Sequence, residues 1–217
     1  MNRILLNIDE WKRCDVYKFY RNYANPYAQV TSEVNFKGLV DIARVKKISF
    51  YGIMSYLVLR TLDSIEDFHI VFDNDQIYRY DKIDAYFTTL DSEHQIWFSD
   101  RLRLSDFENF IFDFEKKKHD AEMHIKKREK NKENNVVYLT CVPWIKISSI
   151  LNPYNEFDSI PRICWGKYYM NDDAYSINIS IQFNHAFVDG WHIGQFFNVL
   201  QANIAEFEYL YKCGETK

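Results

Sequence analysis

Residues 174–201 read AYSINISIQFNHAFVDGWHIGQFFNVLQ, and this stretch decides the fold. Its opening half alternates. Tyr175, Ile177, Ile179, Ile181 and Phe183 fall on one side of an extended chain, with Ser176, Asn178, Ser180, Gln182 and Asn184 on the other. A period of two sustained over that length is a β-strand with one apolar and one polar face. The period then lengthens. Ile193, Phe196, Phe197, Leu200, Ile204 and Phe207 recur at helical spacing and predict an amphipathic helix from Trp191 to Leu210. Between strand and helix runs Asn184-His185-Ala186-Phe187-Val188-Asp189-Gly190, which puts His185 at the lip of a core beside a turn that Gly190 can shape.

Working outward, Asn171-Asp172-Asp173 predicts a hairpin between 162–170 and 174–184. Residues 28–36 and 83–90 read as strands, 136–150 as a β-rich stretch, and 68–81 as two short strands around the Asp-Asn-Asp turn at 73–75. Helices are predicted over 7–23, with Asp9 as N-cap, over 49–64 and over 104–134. The last is amphipathic around Phe107, Phe110, Ile111 and Phe114 and then strongly charged. Lys116, Lys117 and Lys118 cluster there, as do Lys126, Lys127 and Arg128, but acids interleave and no aromatic side chains accompany them. That is a solvated helical face rather than a nucleic-acid arm. The pattern predicts an α/β (α+β) two-layer sandwich with a mixed, mostly antiparallel sheet, built as a single domain over residues 1–217.

Composition bounds the function. Lys plus Arg total 27 against 31 Asp plus Glu, a net charge of −4, so no broad attraction to nucleic acid or anionic membrane is expected. The charges at Arg3, Asp9 and Glu10 come too early for a signal peptide, and no run approaches the ~20 apolar residues of a membrane span. Cys14, Cys141, Cys164 and Cys213 are scattered, with no CxxC pair to suggest a metal site or a disulfide framework. The chain reads as soluble and cytoplasmic, with no metal. Aromatic residues are 18% of the chain, enough to serve a core, an interface or a ring-lined pocket, and composition does not choose among these.

An imidazole in an apolar setting tends to stay neutral near pH 7, as a general base requires, and a base also needs a partner for its other ring nitrogen. Strand position alone fits a structural histidine equally well. Asp189, beside Gly190, fits a simple helix cap. The HxxxD spacing decides nothing by itself.

The wider context does. IQFNHAFVDGWHIGQFFNVLQ resembles the C-terminal signature of the chloramphenicol acetyltransferase family, a His-His-x-x-x-Asp-Gly motif on a strand-to-helix turn. Further resemblances follow in the family's order. They are Trp11-Lys12-Arg13 and Phe19-Tyr20-Arg21, then Phe50-Tyr51-Gly52-Ile53-Met54 and Phe87-Thr88. Leu139-Thr140-Cys141-Val142-Pro143-Trp144 and Gly166-Lys167-Tyr168 complete the set. The resemblance implies an acetyl-CoA-dependent O-acetyltransferase acting on chloramphenicol. His185 would take the proton from the acceptor hydroxyl, with direct transfer in a ternary complex. It also implies that Thr140, at a family serine, stabilises the oxyanion, and that Asp189 pairs with Arg13 to hold the histidine loop. Tyr20, Ala28, Thr88 and Cys164 would line the acceptor pocket, and Trp144, Lys167 and Tyr168 the CoA tunnel. The assembly it implies is a homotrimer with active sites at subunit interfaces.

Besides Thr140, three positions depart from the family pattern. Asn184 replaces the first histidine of the pair, Ala28 a phenylalanine and Cys164 a threonine. The last two reshape the pocket, since alanine is far smaller and cysteine a poorer hydrogen-bonding group. They make another small hydroxylated acceptor the alternative substrate class, and a non-catalytic trimeric ligand-binding module the alternative outside enzymes.

Overall fold

The computed structural model describes residues 2–125, 134–154 and 157–213. Among them the strands are β1 (Arg3–Leu5), β2 (Tyr27–Phe36), β3 (Ile70–Asp73), β4 (Gln76–Tyr80), β5 (Asp84–Leu90), β6 (Ile96–Phe98), β7 (Val136–Cys141), β8 (Arg162–Trp165), β9 (Tyr169–Asn171) and β10 (Ala174–Asn184). The α-helices are α1 (Cys14–Tyr20), α2 (Leu39–Lys46), α3 (Phe50–Asp63), α4 (Phe107–Glu122) and α5 (Gly190–Cys213).

The alternating stretch is the centre of the molecule. The main sheet runs β2-β10-β8-β7-β5-β6, with β9 also paired to β10. β7 is parallel to both β5 and β8, and the other pairings are antiparallel, so the sheet is mixed as expected. A separate antiparallel sheet, β1-β4-β3, closes on the turn at Asn74 and Asp75, whose φ values of 50° and 62° suit these two residue types. One core joins α2, α3, α4 and α5 to the apolar rows of the main sheet, giving two layers. Ile177, Ile179, Ile181 and Phe183 are at most 2% exposed in it. At ~1.5–3 kcal/mol for each side chain, a one-residue slip of β10 would lose on the order of 10 kcal/mol. That matches the whole stability of a typical domain, so the register is fixed.

The polar row of β10 is buried too, contrary to a simple apolar-in, polar-out reading. The connection after β7 covers it and is stitched down at three points. Asn178 Nδ2 donates to the Ile147 carbonyl at 2.7 Å. Gln182 accepts from the Asn152 N–H at 2.7 Å and donates to its carbonyl at 3.2 Å. Asn184 Nδ2 donates to the Asp158 carbonyl at 2.7 Å. Ser180 is reached by Gln29 Nε2 at 2.8 Å from β2.

Other expectations need correction. The helix expected over 7–23 is a 3-10 turn at Ile8–Glu10 followed by α1, and Asn7 rather than Asp9 caps the turn. The helix expected over 104–134 ends at Glu122, where Met123 and then His124, at φ 55°, turn the backbone away. Lys126, Lys127 and Arg128 lie outside the described residues. Of the β-rich stretch 136–150 only Val136–Cys141 is strand, because Pro143 lacks the N–H a ladder needs. The span 162–170 divides into β8 and β9 at Gly166. Short α2, β1 and β6 carried too little periodicity to be read. Among the described residues no helix is long and apolar enough to cross a membrane.

Gly166 marks the tightest approach of the covering connection to the sheet. A Cβ there would lie 2.7 Å from the Ile145 carbonyl oxygen and 2.9 Å from the Ile147 nitrogen, both backbone atoms. Gly166→Ala is therefore expected to lower unfolding free energy by about 1–3 kcal/mol. Urea denaturation checks this, and an unchanged midpoint would contradict the close approach.

Candidate active site

His185 leaves β10 half-buried in a tight turn. Its N–H donates to the Pro26 carbonyl at 2.8 Å, and Arg13 Nη2 donates to its carbonyl at 3.4 Å. The ring stacks on Tyr20, with centroids 4.3 Å apart and planes inclined by 21°, and Phe183 lies 6.1 Å away. Nδ1 is enclosed and has no hydrogen-bond partner among the described residues, so stacking and the fixed backbone orient the imidazole here. Tyr20 also meets Phe19 and Tyr23 at 5.0 and 5.2 Å, forming an aromatic cluster whose outer two members are exposed.

Below the turn runs a chain of alternating charge. Arg13 Nη1 donates to Asp189 Oδ2 at 2.6 Å, with the arginine side chain 9% and the aspartate 31% exposed. Asp189 Oδ1 accepts from the Trp191 N–H at 3.0 Å, so this residue caps α5 and pairs with Arg13 at once. His192 Nδ1 lies 2.9 Å from the same oxygen, while its Nε2 lies 3.4 Å from Asp67, which Lys12 holds at 3.0 Å. Burial alone would raise the Asp189 carboxyl. The bond and charge of Arg13, joined by His192 and the Trp191 N–H, outweigh it and hold the group down to about 2. Asp67 is lowered to about 2 as well, by His192 first and then Lys12, against its own burial.

Thr140 sits near the end of β7, and Thr88 beside it on β5. Thr88 Oγ1 is 3.4 Å from Thr140 Oγ1. The β5–β7 pairing extends only to Phe87 and Leu139. At that point the buried phenol of Tyr51, from α3, reaches the Thr88 carbonyl at 3.1 Å and the Leu139 carbonyl at 3.2 Å, pinning both strand ends. Its burial pushes that phenol well above the usual range, so it serves only as a neutral donor.

Two cavities meet at these threonines. One of about 650 Å³ is walled by Phe50, Tyr51, Trp144, Lys167 and Tyr168. The other, about 1190 Å³, opens over the non-helical face of the sheet between Phe98, Tyr138 and Arg162. Thr88, Ile96 and Thr140 line both. His185 lines neither. Thr140 is in register with Cys164, and Cys164 with Ser180. Two strand spacings across and the five residues from 180 to 185 along separate Thr140 from His185 by about 20 Å.

The sequence-selected residues therefore fall into two groups. Trp144, Lys167, Tyr168, Thr88 and Thr140 gather at the cavities. Tyr20, Ala28, Arg13 and Asp189 gather around His185, with Ala28 in register with Phe183. Cys164 joins neither: it is 0% exposed beneath the covering connection, its Sγ 3.9 Å from the Trp165 carbonyl. Among the described residues no group of three or more His, Cys, Asp or Glu stands where it could hold a metal.

Tyr51 and His192 were not singled out from sequence. A hydroxyl inside the apolar run 50–63 was a signal for Tyr51, because a buried phenol needs a partner. His192 lay one turn from Asp189 on α5, but its link to Asp67 joins distant segments and left no local trace.

The fold defines a class. The chain superimposes on a solved chloramphenicol acetyltransferase with a TM-score of 0.81 at 21% identity, covering 94% of this chain and 100% of that one. A probable dihydrolipoamide acetyltransferase from Listeria monocytogenes shares the fold at a TM-score of 0.67 and 12% identity, covering 95% of each chain. Both are acetyltransferases by name. Among sequence relatives, a chloramphenicol acetyltransferase of Clostridium butyricum is 27% identical, covering 93% of this chain and 94% of its own. Chloramphenicol acetyltransferase 3 of Escherichia coli is 24% identical over 93% of this chain and 96% of its own. The family profile for chloramphenicol acetyltransferase matches residues 1–201, and the chain belongs to that family.

The Asp189 carboxyl is held below its ordinary 3.8, so it contributes stability above that value and loses it as pH falls toward about 2. Asp189→Asn is expected to unfold more easily than wild type near neutral pH. The difference should close between about pH 4 and about pH 2, as read by denaturant unfolding across pH. A difference independent of pH would remove the ion pair as its cause.

Proposed function

We propose that this chain is an acetyl-CoA-dependent O-acetyltransferase that acetylates a hydroxyl of chloramphenicol, working as a cytoplasmic homotrimer of single-domain chains. One observation carries the reading: the ring-walled cavity and the cavity on the sheet face share Thr88 and Thr140 in their walls. A thioester entering from the first and a hydroxyl from the second would meet at the Thr140 hydroxyl. Trp144, Lys167 and Tyr168 hold the CoA arm, with the Lys167 cation suited to phosphate.

His185 takes the acceptor proton as the hydroxyl oxygen forms a bond to the thioester carbonyl carbon. Thr140 Oγ1 donates to the oxygen that gains negative charge. The tetrahedral centre then collapses, the carbon–sulfur bond breaks, and the proton on His185 passes to the departing thiolate. Nothing is oxidised, and no acyl-enzyme forms. Arg13 and Asp189 act by holding the turn in shape, not by moving protons. Because Thr140 and His185 lie about 20 Å apart on one chain, the base for each Thr140 comes from a neighbouring subunit. This separation supports the trimer with shared sites. Tyr20 and Ala28 travel with His185 to the acceptor side of that shared site.

A second acceptor class, another small hydroxylated molecule, is favoured by the wall of the larger cavity, where Arg21, Asp75, Asp158 and Arg162 place ionic groups near the acceptor.

Thiol release from acetyl-CoA with chloramphenicol is expected to be rapid in wild type. It should fall about 10²–10⁴-fold in His185→Ala and about 10²–10³-fold in Thr140→Ala. No turnover with chloramphenicol in a folded trimer would move the acceptor to the second class, and none with any hydroxyl would leave a binding module. Co-expression of Thr140→Ala with His185→Ala chains is expected to restore activity that neither has alone. Failure of mixed trimers to recover turnover would place both groups in one chain's site.

A further inference from the structure

The turn that presents His185 is fastened to the residue before it. Asn184 closes β10 at 1% exposure, on the polar side of the strand. Its carboxamide uses both ends. Oδ1 accepts from the Ala186 N–H at 3.0 Å, and Nδ2 donates to the Asp158 carbonyl at 2.7 Å. Its main-chain carbonyl accepts from the N–H groups of Phe187 at 3.1 Å and Val188 at 3.3 Å. Residues 186, 187 and 188 therefore all tie back to Asn184, and His185 is the residue they enclose.

The far end of the tie is itself immobile. Arg162 forks onto the Asp158 carboxylate at 2.6 and 3.1 Å, with the arginine side chain 8% exposed. The Asp158 N–H donates to the Tyr27 phenol oxygen at 3.0 Å, and that phenol lies 3.3 Å from the Asp158 carbonyl. Tyr27 is also the β2 register partner of Asn184. Few side chains can meet these demands. The position needs a donor and an acceptor on one short rigid plane, and a carboxamide supplies both. A carboxylate of the same shape has no donor for the Asp158 carbonyl.

We infer that Asn184, anchored through Asp158 to Arg162 and Tyr27, is a positioning residue that sets the orientation of His185. The inference rests on His185 acting as the base, as proposed above. Asn184 touches no reacting atom. It fixes the backbone from which the imidazole projects, in a turn whose catalytic ring has no hydrogen-bonded partner at Nδ1 among the described residues.

The test uses full-length Asn184→Asp, which keeps the shape and the acceptor but not the donor, and Asn184→Ala, which removes both bonds. Asn184→Ser serves if the aspartate variant does not fold. Two readouts run together: thiol release with acetyl-CoA and the acceptor that wild type uses, and NMR of ¹³Cε1-labelled histidine. The His185 resonance is assigned by its disappearance in His185→Gln. Loss of a net-favourable buried hydrogen bond in the turn is expected to lower kcat at least ~10-fold, with KM for acetyl-CoA within ~2-fold of wild type. The His185 resonance should shift or broaden while the trimer persists, with a melting temperature lowered by no more than the lost bonds account for. Wild-type kcat with an unmoved His185 resonance overturns the inference. So does a kcat loss that tracks melting temperature while that resonance stays in place. A wild-type protein that turns over no acceptor refutes the functional reading instead, and the NMR arm alone then decides whether Asn184 positions His185.

Discussion

Everything in this molecule depends on a strand buried on both faces. β10 presents isoleucine and phenylalanine to the helices and amides and hydroxyls to the opposite side, and from Ile179 to Asn184 both sides are buried. Apolar burial there is non-directional and needs only the right register. Polar burial is directional, and an unpaired amide would cost about 1–3 kcal/mol. Asn178, Gln182 and Asn184 avoid that penalty by bonding backbone groups at 147, 152 and 158. The covering connection has no secondary structure of its own at those points, so the strand's side chains define its path. That path in turn shapes the wall of the larger cavity, where Asn152, Asp158 and Arg162 stand.

The same strand sets the relation between the two halves of the chemistry. Its register puts Ser180 level with Thr140, across Cys164, and sends His185 well past the end of that alignment. No side-chain rearrangement closes a gap of about 20 Å. The chain therefore holds the Thr140 group and the His185 group as two separate clusters, which the proposed function assigns to the oxyanion and to the base. On one side Tyr51 pins the threonine-bearing strands. On the other the charge chain from Arg13 to Lys12 clamps the turn. Each half is preorganised before any assembly, in keeping with the small reorganisation that efficient electrostatic stabilisation requires.

How much of this was legible in the sequence follows from the range of the interactions. The β10 alternation, the α5 stripe and the turn at 73–75 are local patterns, and the sequence reading placed all three. The Arg13–Asp189 contact joins residues far apart in the chain, and only the family resemblance could suggest it. Both faces of β10 being buried was not legible, because serine, asparagine and glutamine on a strand read equally as solvent-facing. The α4 end was misjudged because charged residues after Glu122 carry good helix propensity, while the left-handed backbone at His124 is set by its tertiary contacts with Asp91 and Trp97. Cys164 was placed in a pocket by resemblance, yet it is sealed under the covering connection, whose course no local pattern revealed.

The position of β10 along the chain has a consequence for biosynthesis. β10, the strand between β2 and β8, begins at Ala174, and its partner β2 ends at Phe36. While the chain is being made, β2 emerges well before β10 and waits for it with an open edge. Neither it nor β8 can find its middle neighbour until residues 174–184 have left the ribosome. Until then the nascent chain carries β2 without its partner strand, a state prone to association with other chains.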